Sequence, residues 1–454
     1  MRRFIISLVL LVFGLFPRST RAATSAGPAV DLQTLQRDLH SVRGPRTYDG
    51  PPLTLAGALE EALAKNPELI ALRKQFDAVR LRPGQERFLS PPTFEAQIWQ
   101  WPISTLNPAN TNMYMFMLNQ DLPGFGKRQL RAAVVEKDVE LATNDVAVRG
   151  RQVVDEVKHS YAELFVARKA IDIHLASVDL LRQFADVSEA KYATGRISQQ
   201  DVLKAVVELS KLHSDVIMFD ERAQVAAVRL NTLLDRPLTA PIGPLAEPHE
   251  RVLLPPSDDL QRLALAHQPE LAAARLGIER AQAELAVAQR EYKPDFSVQG
   301  GYLLMPRQTN ALLARVGITW PNAPWSRGKV DARVAEATAA TEVARARQRT
   351  AENAVRLAVQ EAYVRLKSAE QRAELLRTSV LPQSRQTLAV SLVAYQTERG
   401  DFLALLDNQR VLLDTQLGYF NALSDFEQAL ADLERAIGAE VESQMTSMVA
   451  TEVN

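Results

Sequence analysis

The 454-residue sequence has no cysteine. Disulfides, thiol catalysis and thiolate metal sites are therefore excluded. The lipid-attachment cysteine that follows a bacterial lipoprotein signal is missing too. Aromatic residues are sparse at 6%, which favours long helices packed through small side chains over a large aromatic core. Beyond the N-terminal stretch, Arg, Glu, Lys or Asp interrupts every apolar segment within a few residues, so no later segment reads as a transmembrane helix. Glycine-rich phosphate loops, nucleophile elbows and HExxH zinc motifs are also lacking. The sequence thus predicts no enzyme, no catalytic residue and no cofactor. The six histidines are scattered. His159 and His174 lie too far apart along one helix to share an ion, and no metal site is predicted.

What is present begins with an export signal. Arg2 and Arg3 precede an apolar run from Phe4 to Phe16, and small residues then suit cleavage after Ala22. Without the four arginines of residues 1–22, the balance is 49 basic against 54 acidic residues. A mildly acidic exported chain is a poor nucleic-acid binder.

The chain is internally duplicated at a spacing of about two hundred residues, much longer than a solenoid repeat. Asn66-Pro67-Glu68-Leu69 recurs as Gln268-Pro269-Glu270-Leu271, Gly126-Lys127 as Gly328-Lys329, and Tyr192-Ala193-Thr194-Gly195 as Tyr395-Gln396-Thr397-Glu398. This divides the chain into a signal (1–22), an N-terminal extension (23–52), a first repeat (53–240), a Pro-rich linker (241–257), a second repeat (258–440) and a tail (441–454). Each repeat reads as helix, strand, strand, long helix, turn, helix. The first long helix, from about Lys127 to Tyr192, carries a coiled-coil-like seam: Val135, Val139, Ala142, Val146, Val153, Val157, Tyr161, Leu164, Ile171, Leu175 and Val178. At 1.5 Å per residue it is a rod of about 100 Å.

Four segments carry the opposite period. Near 312–320, Leu312, Ala314, Val316, Ile318 and Trp320 alternate with Leu313, Arg315, Gly317 and Thr319. Strands are predicted there and near 94–101, 112–120 and 295–304. Alternation of this length fits a membrane barrel strand, although the pattern alone also fits a soluble, half-buried sheet. Four strands cannot close, and an open sheet in lipid would expose unpaired backbone groups. Pooling strands from three copies gives about twelve, an allowed barrel size. Trp99, Trp101, Trp320 and Trp325 near the strand ends suit interfacial anchors. Met113, Met115 and Met117 share one strand face, where barrel packing outweighs soft-metal binding.

The duplicated pattern resembles the TolC-like outer-membrane efflux family. The similarity runs from about 53 to 440 and includes Leu55-Ala56-Gly57-Ala58-Leu59, the strand exit Leu122-Pro123-Gly124-Phe125-Gly126-Lys127-Arg128, and the tip Tyr192 to Leu203. The second tip, Arg399 to Asp407, is similar to tips of heavy-metal efflux members. The resemblance implies a homotrimer with a twelve-stranded outer-membrane barrel and a periplasmic α-helical tunnel. It further implies that an adaptor docks this passive duct to an inner-membrane pump. Adaptor contacts would fall on Gly195, Arg196, Ile197, Ser198, Arg399, Gly400 and Asp401. Gly195 and Gly400 suit turns of positive φ, and Ser198 and Asp401 suit N-caps. Asp407 matches one of two inward acids expected at the tunnel entrance, whereas Ala404 occupies the other position. Asp201 lies near the first tip and is the weaker pore candidate. Glu398 stands where the first tip has Gly195, which puts the turn there in question. A soluble periplasmic coiled-coil scaffold or adaptor is the alternative at this point.

Overall fold

The computed structural model describes residues 48–441, apart from 102, 105–106, 196–197 and 248–253. The expected signal, most of the N-terminal extension and tail, Arg196 and Ile197 lie outside the described residues. The chain order is α1 (Leu55–Lys65), α2 (Pro67–Val79), α3 (Arg82–Arg87), β1 (Thr93–Trp99), β2 (Met113–Leu122), α4 (Lys127–Ala193), α5 (Gln199–Leu233), α6 (Ser257–His267), α7 (Pro269–Arg290), β3 (Asp295–Leu304), β4 (Ala311–Thr319), α8 (Arg327–Leu375), α9 (Leu381–Gln396) and α10 (Phe402–Ile437). Among the described residues, no helix is long and apolar enough to cross a membrane.

The first helix of each half, a single helix in the sequence pattern, is broken in two at a proline. Pro67 and Pro269 disfavour helical backbone at the residue before them, so Asn66 and Gln268 turn out of the helix with ψ of 121° and 119°. Asn66 caps the restarted helix, its Oδ1 accepting from Glu68 N at 3.1 Å and Leu69 N at 3.2 Å. Both breaks are tied to the end of the last helix in their own half. Asn66 Nδ2 donates to Leu233 O at 3.2 Å, and Gln268 Nε2 donates to Arg435 O at 3.1 Å. Arg73 donates to Leu63 O at 3.1 Å, and Arg275 to Leu265 O at 2.9 Å. The sequence repeat therefore carries a repeated set of tertiary hydrogen bonds.

The α4 seam is buried from Val153 onward: Val153, Val157 and Ile171 are fully enclosed, and Leu164, Leu175 and Val178 nearly so. Val135, Val139, Ala142 and Val146, closer to the sheet, are only half-buried in one protomer. The matching rod of the second half stays helical from Arg327 to Gln396 but contains an irregular turn. A π-helical turn at Leu376–Val380 joins α8 to α9, ending two residues before Pro382, which cannot donate to the helical ladder. The linker straps across α4. Tyr161 Oη donates to Leu53 O at 2.9 Å and accepts from Ala246 N at 2.8 Å, while Arg168 donates to Ile242 O and Gly243 O.

Candidate functional site

The sheet is antiparallel in the order β1-β2-β3-β4. Its register sorts the side chains by face. One face holds the rows Phe94–Leu118–Gly300–Ala314, Ala96–Phe116–Tyr302–Leu312 and Leu122–Phe296–Ile318. The other holds Thr93–Asn119–Gln299–Arg315, Glu95–Met117–Gly301–Leu313 and Asp121–Ser297–Gly317. The first face is mostly apolar, with Gln120 its polar member in the row Gln120–Val298–Val316, and exposed: Phe94, Leu118, Leu312, Val316 and Ile318 are all open to their surroundings. This is the two-sided pattern of a barrel wall, with lipid outside and water inside. The edges β1 and β4 have no partner strand in one protomer, among the described residues.

The methionines belong to the second, polar face. Met117 is buried over Gly301, and Gln299 Nε2 donates to its sulfur at 3.6 Å. Its packing is thus accounted for without an ion. Trp99, Trp101, Trp320 and Trp325 are all exposed at or beyond strand ends, the setting in which an indole serves as an interfacial anchor.

At the opposite end of the long helices lie the two tips. Thr194 and Thr397 end α4 and α9 with nearly the same backbone, and the next residues, Gly195 and Glu398, both take left-handed φ, +70° and +59°. The second tip keeps the turn without the glycine. Gly400 does not have positive φ. What excludes a side chain there is proximity: a Cβ would lie 3.0 Å from Ala394 Cβ and 3.1 Å from Tyr395 N. Ser198 and Asp401 occupy N-cap positions with extended backbone, but neither side chain makes a cap hydrogen bond. Ser198 Oγ instead donates to Asp201 Oδ2 at 3.0 Å, an internal pairing that leaves Asp201 occupied.

Tyr395 joins the tips. Its hydroxyl meets Ser188 Oγ at 3.1 Å, its carbonyl accepts from Lys191 Nζ at 2.8 Å, and its ring lies beneath that ammonium at 3.9 Å. Phe402 packs against the ring with centroids 5.6 Å apart. The duplicate residue Tyr192 is exposed.

Asp407 lies one turn into α10 on an exposed face with Leu403, Ala404 and Arg410. These residues line an open groove of about 900 Å³ facing Leu203, Lys204 and Val207 of α5. In the groove Arg410 forms a forked pair with Glu208, Nε donating to Oε1 at 2.7 Å and Nη2 to Oε2. That hydrogen bonding holds the buried Glu208 carboxyl below its ordinary range and raises the Arg410 guanidinium. Among the described residues, Asp407 has no ion-pair partner of its own. Its charge reaches Arg410, whose guanidinium it helps Glu208 to hold protonated. Sequence reasoning missed the Glu208–Arg410 pair, because the two residues belong to different halves.

A family model described as "Outer membrane efflux protein" matches residues 58–236 and 260–439. The chain is 25% identical over 398 residues to the cobalt-zinc-cadmium resistance protein CzcC of Cupriavidus metallidurans, covering 87% of this chain and 92% of that one. Among solved structures it is similar to the outer-membrane channel OprN, with TM-score 0.73, 19% identity and coverage of 93% and 99% of the two chains. It is likewise similar to the channel CusC, with TM-score 0.73, 16% identity and coverage of 85% and 92%. With both halves matched, this chain belongs to the outer membrane efflux protein family.

Proposed function

We propose that this chain is the passive exit duct of a tripartite heavy-metal efflux system, working as a homotrimer. The observation that carries the metal reading is the nearly full-length similarity to a cobalt-zinc-cadmium resistance protein. Closure follows from the sheet. Two bare edges and an exposed apolar face are untenable in lipid unless β1 of one copy pairs with β4 of the next. Exposed apolar residues on α5 (Leu203, Val207, Ile217, Val225, Val228) supply further surface for neighbouring copies to cover. The repeats, 53–240 and 258–440, each contribute two strands and one tip. Energy and most substrate selection belong to an inner-membrane pump, and the chain performs no reaction of its own.

The tip residues Gly195, Arg196, Ile197, Ser198, Arg399, Gly400 and Asp401 are the surface for a periplasmic adaptor. Asp407, repeated three times around the axis, concentrates cations at the tunnel mouth by local potential. The test is deletion of the chain in its native host, with growth measured in zinc, cobalt or cadmium and, separately, in lipophilic drugs. Metal hypersensitivity, restored by the wild-type chain, is expected. Unchanged metal tolerance with heightened drug sensitivity would assign the duct to organic substrates. In planar bilayers, Asp407→Asn is expected to lower cation selectivity while preserving the open pore.

A further inference from the structure

The helical body holds a cluster of side chains that the duct does not use. Asp155 and His159 stand one turn apart on α4, and Asp432 reaches them from α10. His159 Nδ1 lies 3.0 Å from the Asp155 carbonyl oxygen. With Nδ1–H donating there, the lone pair of Nε2 is left outward, the arrangement in which a backbone carbonyl fixes the tautomer of a metal-binding imidazole.

Asp432 Oδ1 lies 3.7 Å from Nε2. That is long for a hydrogen bond but close to the separation of about 3.4 Å between two ligands on one tetrahedral ion with bonds near 2.1 Å. Asp155 Oδ1 is buried without a hydrogen-bond partner and lies 3.5 Å from His159 Nδ1, so a cation could satisfy an oxygen of a kind that is ordinarily hydrogen-bonded. One ligand atom from each of the three residues can be chosen so that all lie within 4.8 Å of one another. The outer oxygens are held by cations: Arg435 Nε is 3.5 Å from Asp155 Oδ2, and Arg365 Nη1 is 4.0 Å from Asp432 Oδ2. Both Oδ1 atoms lie beside the imidazole, Asp155 Oδ1 nearer Nδ1 and Asp432 Oδ1 nearer Nε2, and the guanidinium charge makes for an exchangeable site rather than a permanent one.

We propose that Asp155, His159 and Asp432 form a binding site for one divalent transition-metal ion of the zinc and cobalt class, clamping α4 of the first half to α10 of the second. An imidazole with two carboxylates suits that class better than magnesium or calcium, which prefer all-oxygen sites. The site is separate from the tips, and the proposal does not depend on which substrate the duct carries.

The test uses the full-length protein, purified in detergent and stripped with chelator. Cobalt(II) is titrated in and followed by its visible absorption, then displaced with zinc. The expected result is one ion per protomer, with a raised thermal midpoint in zinc. His159→Ala is expected to weaken binding at least about tenfold, and His267→Ala, at an exposed histidine elsewhere, to leave it unchanged. Asp432→Asn nearly preserves side-chain volume and gives an independent loss if His159→Ala assembles poorly. No saturable uptake by the wild-type protein, or equal uptake by wild type and Asp432→Asn, would overturn the site and leave an ordinary ion-pair cluster.

Discussion

The two halves of this outer-membrane protein face the same local problem twice, and each uses glycine at the opposite end. Each half needs a left-handed residue at its tip and another where its last helix stops. In the first half these are Gly195 (φ +70°) and Asp235 (φ +54°); in the second they are Glu398 (φ +59°) and Gly438 (φ +79°). The difference lies in the surroundings. A Cβ at 195 would meet nothing within 4 Å, whereas one at 438 would lie 2.8 Å from His267 O and 3.0 Å from Gln268 Cα. Left-handed backbone alone costs a side chain roughly 1–2 kcal/mol, which a large protein absorbs. Close approach of a second backbone admits no such compromise.

The largest effect is therefore expected at Gly438. Gly438→Val adds backbone strain to a clash with the α6–α7 break, for a combined loss of about 3 kcal/mol or more. Thermal denaturation of the detergent-purified protein should show a clearly lowered midpoint. An equal, small drop for Gly438→Val and Gly195→Ala would mean that the His267–Gln268 backbone yields, and the distinction between the two sites would fail.

The halves also differ in charge where they meet near the tips. The duplication pairs Asp201 with Ala404, Lys204 with Asp407, and Val207-Glu208 with Arg410-Val411. Neither half has the ion pair by itself; it exists because the duplicated helices diverged in complementary directions. Arg410→Ala leaves the buried Glu208 carboxylate without its forked partner, with an expected loss of about 2 kcal/mol. Lys at position 410 should restore only part of it, since an ammonium cannot reproduce the fork. The pH dependence has a definite sign. The Glu208 pKa is depressed below its ordinary 4.5 by Arg410. The contribution is thus present above that value and is lost as the pH falls through the depressed one. Wild type and Arg410→Ala should converge in stability on acidification; a constant gap down to strongly acid pH would assign the loss to packing.

Much of the architecture was legible because its signals are local. A period of two marked the strands, a three-and-four seam marked α4, and the landmark repeats exposed the duplication. Other features depended on partners remote in sequence. Asn66-Pro67 was read as a repeat marker, but its role as a helix break needed the proline rule at that residue. Gly400 was assigned to turn geometry, when what it accommodates is Ala394 and Tyr395 across the tip. Asp407 was singled out through the resemblance of the second tip to family tips, not from its own surroundings. Its neighbours Glu208 and Arg410, and the meeting of His159 with Asp432, arise only when helices from different halves pack together.

The smallest expected effect sharpens the comparison most. At Asp235 and Glu398 the backbone already holds a conformation that glycine adopts without strain. Asp235→Gly and Glu398→Gly should relieve about 1–2 kcal/mol in the folded state while adding about 0.4–1 kcal/mol of chain entropy to the unfolded state. The net gain is about 1 kcal/mol or less at each site, read as a small rise in thermal midpoint. Gly195→Ala should move the midpoint down by a comparable amount, because its surroundings are open and only φ resists it. If Glu398→Gly lowered stability instead, the glutamate side chain would be contributing more to the second tip than its backbone strain costs. The departure from glycine would then be a functional feature of that tip, and adaptor binding by Glu398→Gly would become the measurement that separates docking from folding.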